Sequence, residues 1–369
     1  MKRLGLVITA LSITASLLAG CDVSKNKTPL LFGTLEDELV ALSYEQYVAK
    51  IEDKDNFLVF STPNSPCTCW TSFRDSILMP YRKANNLIVY TVHFSEFFDD
   101  DNAKRDSYGL DFISSSQTLG LFKDGVLKEN RPYNSTHKIW GSKDSFATYM
   151  KELIVFPTII DINLTKLTNL YAQDSSFTVI YHDDETESTY LRENFLESYA
   201  RENAATMNNL YLLDTDVDGI KLKSGVYDEN QWQGFKDTYG LSALNNATLG
   251  YGTGFVPTAQ YVEPNGIDKN GSIIKAQSVY LNDVLTISAN PAVYEVTESF
   301  YSQERENSLS YLTDFVGDPI LVAKEVPAAD VDIDGANVTW KHEKAALYHD
   351  PLIRAFLDYS LPLATSVLE

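Results

Sequence analysis

QTLGLFKDGVLKEN, residues 117–130, sets Lys123-Asp124-Gly125 between two apolar runs. Asp-Gly readily takes the left-handed backbone angles of a tight hairpin loop, so the stretch predicts two antiparallel strands. Upstream, the chain reads helix, strand, helix, strand. SYEQYVAKIEDKD from Ser43 is the first helix, and Phe57 to Ser61 is a short apolar strand suited to burial on both faces. TSFRDSILMPYRKANN is the second helix, kinked or ended by Pro80, and Leu87 to Phe94 is the second strand, followed by acidic Asp99-Asp100-Asp101. Downstream of the hairpin, SKDSFATYMKELI adds a closing helix.

The second half repeats this plan, with weak letter identity. Leu164 to Ala172 reads as a helix, Phe177 to Tyr181 as a strand, and ESTYLRENFLESYAREN as a helix with apolar Tyr190, Leu191, Phe195 and Tyr199. Asn209 to Asp214 is a strand, DENQWQGFKDTYG a helix ending at Gly240, and TAQYVEPNGIDKNGSIIKAQSVYL a hairpin. QTLGLFKDG resembles the fourth-strand segment of thioredoxins. YGTGFVPT, residues 251–258, is similar to the thioredoxin stretch in which a cis-proline opens that strand. The resemblance implies an α/β protein of two tandem thioredoxin-like domains, each a central mixed sheet flanked by helices, over residues 35–156 and 157–369. Val155-Phe-Pro-Thr158 marks the junction. The tail from Leu285 exceeds the fold's needs and is expected to form a helical extension, including a helix around HEKAALYHDPLIRAFLDYS.

Between the first long strand and its helix lies SPCTCW, residues 65–70. A cysteine at a helix N-terminus meets unpaired N–H groups and the positive end of the helix dipole, which favour the reactive thiolate. Matched to Gram-positive secreted thioredoxin-like proteins, Cys67 becomes the attacking cysteine and Cys69, one position early, the resolving one. The shorter spacing makes a smaller, more strained ring, expected to be oxidising. The same resemblance places substrate along Pro66, Thr68, Trp70, Gln117, Thr118, Val256, Pro257 and Thr258.

Each half departs from the pattern. Gln117 stands where the first domain would carry its cis-proline, and the second domain's matching turn, HDDETEST at 182–189, has no cysteine. Three readings follow: a redox-active first domain beside a substrate-holding second, as in multidomain disulfide isomerases; two non-catalytic modules gripping an envelope partner; or a copper-handling pair, with Cys67 and Cys69 as soft ligands and His93 as a weaker candidate approaching from an adjacent strand. No cofactor is expected, and no phosphate loop, Ser-His-Asp order or zinc-protease helix is present.

Residues 1–20 open with Lys2 and Arg3, continue as an uncharged apolar run and end in small residues, the layout of a secretory signal. Leu18-Ala19-Gly20-Cys21 resembles the bacterial lipobox, which implies lipid attachment at Cys21, a linker over 21–34, and a membrane-anchored, extracytoplasmic body. Its partners are then expected to be secreted or envelope proteins. The net charge of -21 argues against nucleic acid. With Cys21 lipidated, Cys67 and Cys69 are the remaining thiols, too close in sequence to staple a fold of this size. Two acidic runs, Asp214-Thr-Asp216-Val-Asp218-Gly219 and Asp330-Val-Asp332-Ile-Asp334-Gly335, resemble the start of a calcium loop. Both lack the glutamate at its twelfth position, so a solvated turn is the preferred reading.

Overall fold

A computed structural model of the chain describes residues 27–36, 38–62, 67–93, 117–203, 206–242, 256–269, 272–280 and 350–365, with five short strands between 285 and 340. The signal, Cys21, Pro66, Asp99–Asp101, Asp330, His342 and His349 lie outside the described residues. Among the described residues no helix is long and apolar enough to cross a membrane.

The first sheet is built from β3 (Val40–Ala41), β4 (Phe57–Thr62), β5 (Val89–His93), β6 (Thr118–Lys123) and β7 (Val126–Pro132), in spatial order β3-β5-β4-β6-β7. β3, β5 and β4 run parallel, while β6 lies antiparallel to β4 and to β7. This is the thioredoxin order. Ser43 starts helix α1 (Tyr44–Glu52) with a capping box, its hydroxyl accepting the Gln46 N–H while the Gln46 side chain accepts the Ser43 N–H. Helix α2 covers 68–84 and includes a π-helical turn at Arg74–Leu78, just before Pro80. Helix α3 (Lys143–Leu153) packs Phe146 and Met150 beside α2 on one sheet face. Tyr47 of α1 fills the other face, with Phe57, Val59 and Phe122.

The second sheet repeats the topology. Strands β9 (Ile159–Ile162), β10 (Phe177–His182), β11 (Leu210–Asp214), β14 (Thr258–Lys269) and β15 (Ser272–Tyr280) take the order β9-β11-β10-β14-β15. β9, β11 and β10 are parallel, and β14 is antiparallel to β10 and β15. Helix α4 (Leu164–Ala172) matches α1, and α5 (186–203) matches α2, including a π-helical turn at Leu191–Leu196 that no proline accounts for. Helix α6 (Glu229–Tyr239) ends at Gly240, whose φ of 73° is the left-handed cap expected there. Helix α7 (Asp350–Leu363) buries Ile353, Phe356, Leu357 and Leu361 against Leu191, Phe195 and Tyr199.

Two expectations are corrected. The final helix is the closing element of the second domain, placed as α3 is in the first, rather than a helical extension. The described pieces between β15 and α7 are short strands, β16 (Leu285–Ile287), β17 (Val293–Val296), β18 (Glu325–Pro327), β19 (Val331–Asp334) and β20 (Asn337–Trp340).

The linker also ends earlier than 34. Thr28–Pro29 (β1) pairs with Ile154–Val155 (β8) of the first domain, and Phe32–Thr34 (β2) runs parallel to β9 as a sixth strand of the second sheet. Leu30 enters the first domain's core, Leu31 the α5–α7 side of the second and Leu35 its opposite side. Arg192 clamps this strap, its guanidinium 4.9 Å above the Phe32 ring while both of its terminal nitrogens bond Asp161 at 2.7 Å.

Candidate active site

The end of β4 aims the chain into α2, and Cys67 is the residue that starts the helix. Its backbone is extended (φ -81°, ψ 155°), and its Sγ accepts the Trp70 N–H at 3.2 Å. The Cys67 carbonyl accepts the Thr71 N–H at 3.2 Å, closing the first turn. Cys67 and Cys69 are joined as a disulfide, with Cα atoms 5.2 Å apart. Both cysteines are half-buried, Thr68 is exposed and Trp70 is buried. Beneath them Trp70, Phe60, Phe73 and Trp140 form one aromatic cluster, with the Phe73–Trp140 centroids 4.9 Å apart. Such packing holds the helix start against the sheet, so the pair has a rigid floor.

The registers make Gln117 the counterpart of Pro257. Ser61 faces Thr118 across the β4–β6 pair as Tyr181 faces Thr258 across β10–β14. The Val256-Pro257 bond is cis, as the resemblance implied. Cys67, Cys69, Trp70, Gln117 and Thr118 therefore share one end of the first sheet, whereas Val256, Pro257 and Thr258 occupy the corresponding end of the second. The structure builds two corresponding places rather than one joint site.

At the second place the turn after β10 carries an ionic network instead of cysteines. Lys221 Nζ lies 3.1 Å from Asp183 and 3.3 Å from Asp216, and Asp183 also accepts the Ser188 hydroxyl at 2.6 Å. Burial works to lower the Lys221 pKa, but the two carboxylates, Asp183 foremost, hold it above its ordinary value. Burial likewise opposes ionisation of Asp216, yet hydrogen bonding with Asp184 and the charge of Lys221 keep its pKa below the usual range. Asp183 and Lys221 had no sequence signal beyond the acidic turn itself, because their partners meet only in the fold.

The first acidic run is committed to turns. Asp214 accepts the Asp216 N–H at 2.8 Å and Asp218 the Ser224 N–H at 2.6 Å. Among the described residues no three His, Cys, Asp or Glu side chains converge as metal ligands, and His93 makes no such group with the cysteines.

No family model and no curated protein matches the chain. Among solved structures it is similar to oxidised thioredoxin O1 of Arabidopsis thaliana, at 16% identity over 33% of this chain and 97% of that one, with a TM-score of 0.23. It is also similar to human ERp44 in form II, at 9% identity over 84% of this chain and 64% of that one, TM-score 0.30. A third is the bb fragment of ERp72, at 10% identity, 63% and 88% coverage, and TM-score 0.30. The strand orders and registers carry the fold assignment: two thioredoxin-like domains, the first with a disulfide at its helix-starting turn. That arrangement supports a thiol–disulfide role.

Proposed function

We propose that the protein is a thiol–disulfide oxidoreductase or isomerase, tethered outside the cytoplasm by lipid on Cys21 and acting on secreted or envelope proteins. The observation that carries the chemistry is Cys67 at the start of α2, its sulfur bonded by the Trp70 N–H. After reduction, that N–H and the helix terminus favour a Cys67 thiolate, which attacks a substrate disulfide to form a mixed disulfide. Cys69 then attacks the Cys67 sulfur, releasing the substrate's thiol and restoring the Cys67–Cys69 bond. The lipid anchor and its location rest on the lipobox resemblance alone. The second domain, with its ionic turn in place of cysteines, serves as a holder for protein substrates.

The test uses the purified membrane-extracted protein with a disulfide-containing protein substrate and a dithiol. Cys67→Ser should abolish exchange, while Cys69→Ser should accumulate a mixed disulfide through Cys67. The mass of the same samples should show lipid on Cys21. Absence of exchange by the unmutated protein would sink the redox reading in favour of a non-catalytic binding module, and undiminished exchange by Cys67→Ser would remove Cys67 as the attacking cysteine.

A further inference from the structure

Two buried glutamines lie near the starts of the fourth strands, Gln117 just before β6 and Gln260 two residues inside β14, and their hydrogen bonding differs. Gln260 on β14 is saturated: its Oε1 accepts the Tyr171 and Tyr181 hydroxyls and its Nε2 donates to the Tyr239 carbonyl at 3.0 Å. Gln117 is 1% exposed, and among the described residues neither its Oε1 nor its Nε2 has a hydrogen-bond partner. A buried carboxamide with both ends unmet is rare in a native fold and asks for a missing partner.

Its direction follows from the pleat. Leu119 and Leu121 face the core that holds Trp70, Phe73 and Cys67, whereas Phe122 faces the core on the α1 side. Side chains alternate, so Gln117 shares the face of Leu119 and Leu121, at the end of the sheet where Cys67 lies. A second orphan is linked to it through Tyr133. The Gln117 carbonyl accepts the Tyr133 N–H at 2.8 Å, the Tyr133 ring lies 5.7 Å from Trp140, and the buried Trp140 indole N–H is also unbonded.

Resting on the redox reading above, we propose that the Gln117 carboxamide is held in reserve for the reduced state, where its N–H donates to the Cys67 thiolate. The structure shows the disulfide, whose sulfur is a weak acceptor with no charge. Reduction by an external dithiol breaks the Cys67–Cys69 bond, puts two electrons on the pair and oxidises the dithiol to its own disulfide. Of the dithiol's two protons, one goes to Cys69 and one to solvent, leaving Cys67 anionic. A charged sulfur is a far better acceptor than a disulfide, so the orphan gains its partner on reduction. The titratable and charged groups on the packed elements include Arg74 and Asp75, paired with each other at 2.7 Å, buried Arg82, Glu129 and Arg131 of β7 bonded to Tyr149, then Tyr81, Tyr133, His93, and His137 with Lys138 beside Trp140. The test leaves all of them unchanged.

The experiment follows the pH dependence of Cys67 alkylation in the full chain with Cys69→Ser, reading the Cys67 peptide by mass so that Cys21 does not interfere. Gln117→Met, of similar length and without the amide, should raise the Cys67 pKa by about one unit and slow alkylation at pH 6 about tenfold. With both cysteines present, the same substitution should shift the glutathione equilibrium toward the disulfide by about tenfold. It should also leave the oxidised protein at least as heat-stable while lowering the melting temperature of the reduced form. Gln117→Leu should reproduce these shifts, which guards against a folding defect in one variant. An unchanged Cys67 pKa, or equal melting changes in both redox states, would reduce Gln117 to a packing residue. Neither readout needs a substrate, so a wild-type protein inert in exchange would overturn the proposed function without deciding this point.

Discussion

Lys221 carries one charge between two carboxylates, and its worth depends on what is left if it goes. Asp183 is the more deeply buried partner, its side chain 5% exposed. Lys221→Met should therefore cost the second domain about 3 to 5 kcal/mol, the usual penalty for stranding a buried charge, read as lost amide-exchange protection over 210–214. The pH dependence follows from the two shifts. Lys221 has a raised pKa in the folded state, so its contribution is complete below the unfolded value of about 10.4 and is lost as pH rises through the folded one. Asp216 has a lowered pKa, so its contribution is present above about pH 4 and is lost as pH falls through the folded value. Lys221→Met should remove the Lys221 share of the alkaline limb of the stability profile, leaving the share of buried tyrosines such as Tyr171 and Tyr181, whose pKa values burial raises.

The turn between β6 and β7 is the element whose sequence spoke most plainly. Asp124 and Gly125 both take positive φ, 52° and 71°, and the Gly125 N–H donates to the Asp55 carbonyl at 3.1 Å. A Cβ on Gly125 would run into the Ile51 carbonyl as well as straining the backbone. Gly125→Ala should thus lower the first domain's stability by about 1 to 3 kcal/mol, seen as an earlier urea midpoint. Helices with caps and five- to six-residue apolar strands were legible for the same local reason: their pattern lies within the element. β1, β2, β3 and β9 were not, because two to four residues hold little periodicity and their partners are distant in sequence. The role of α7 was obscured by the long stretch separating it from β15. At the site, Cys67, Cys69 and the odd placement of Gln117 could be read in advance, since each sits at a fixed offset from a strand. The unpaired state of Gln117, the part played by Trp140 and the Asp183–Lys221–Asp216 network depend on the folded arrangement.

At the scale of the molecule, the strap joins what the repeat would otherwise leave as two beads. Leu30 and Leu31 are neighbours in sequence and belong to different cores. Each Leu→Ala should cost about 2 to 5 kcal/mol, but in different places. Leu30→Ala should loosen amide exchange in β4 and α2, and Leu31→Ala in β9 and α5. Equal loosening of both domains by either substitution would mean that they unfold as one unit. Gly33 shows how tightly the crossing is made: an added Cβ would meet the Asn86 carbonyl, Pro157 and Ile160 together.

The strap also imposes an order in time. Ribosomes deliver residues 32–34 first, yet their ladder partners, residues 159–161, appear after the whole first domain has been made. Throughout that interval Phe32 and Leu31 have nowhere to bury, and the cost of closing so long a loop is met only when the second sheet forms. Residues 32–34 are therefore made early and paired only after the first domain is complete, and until then the chain carries an unfinished edge.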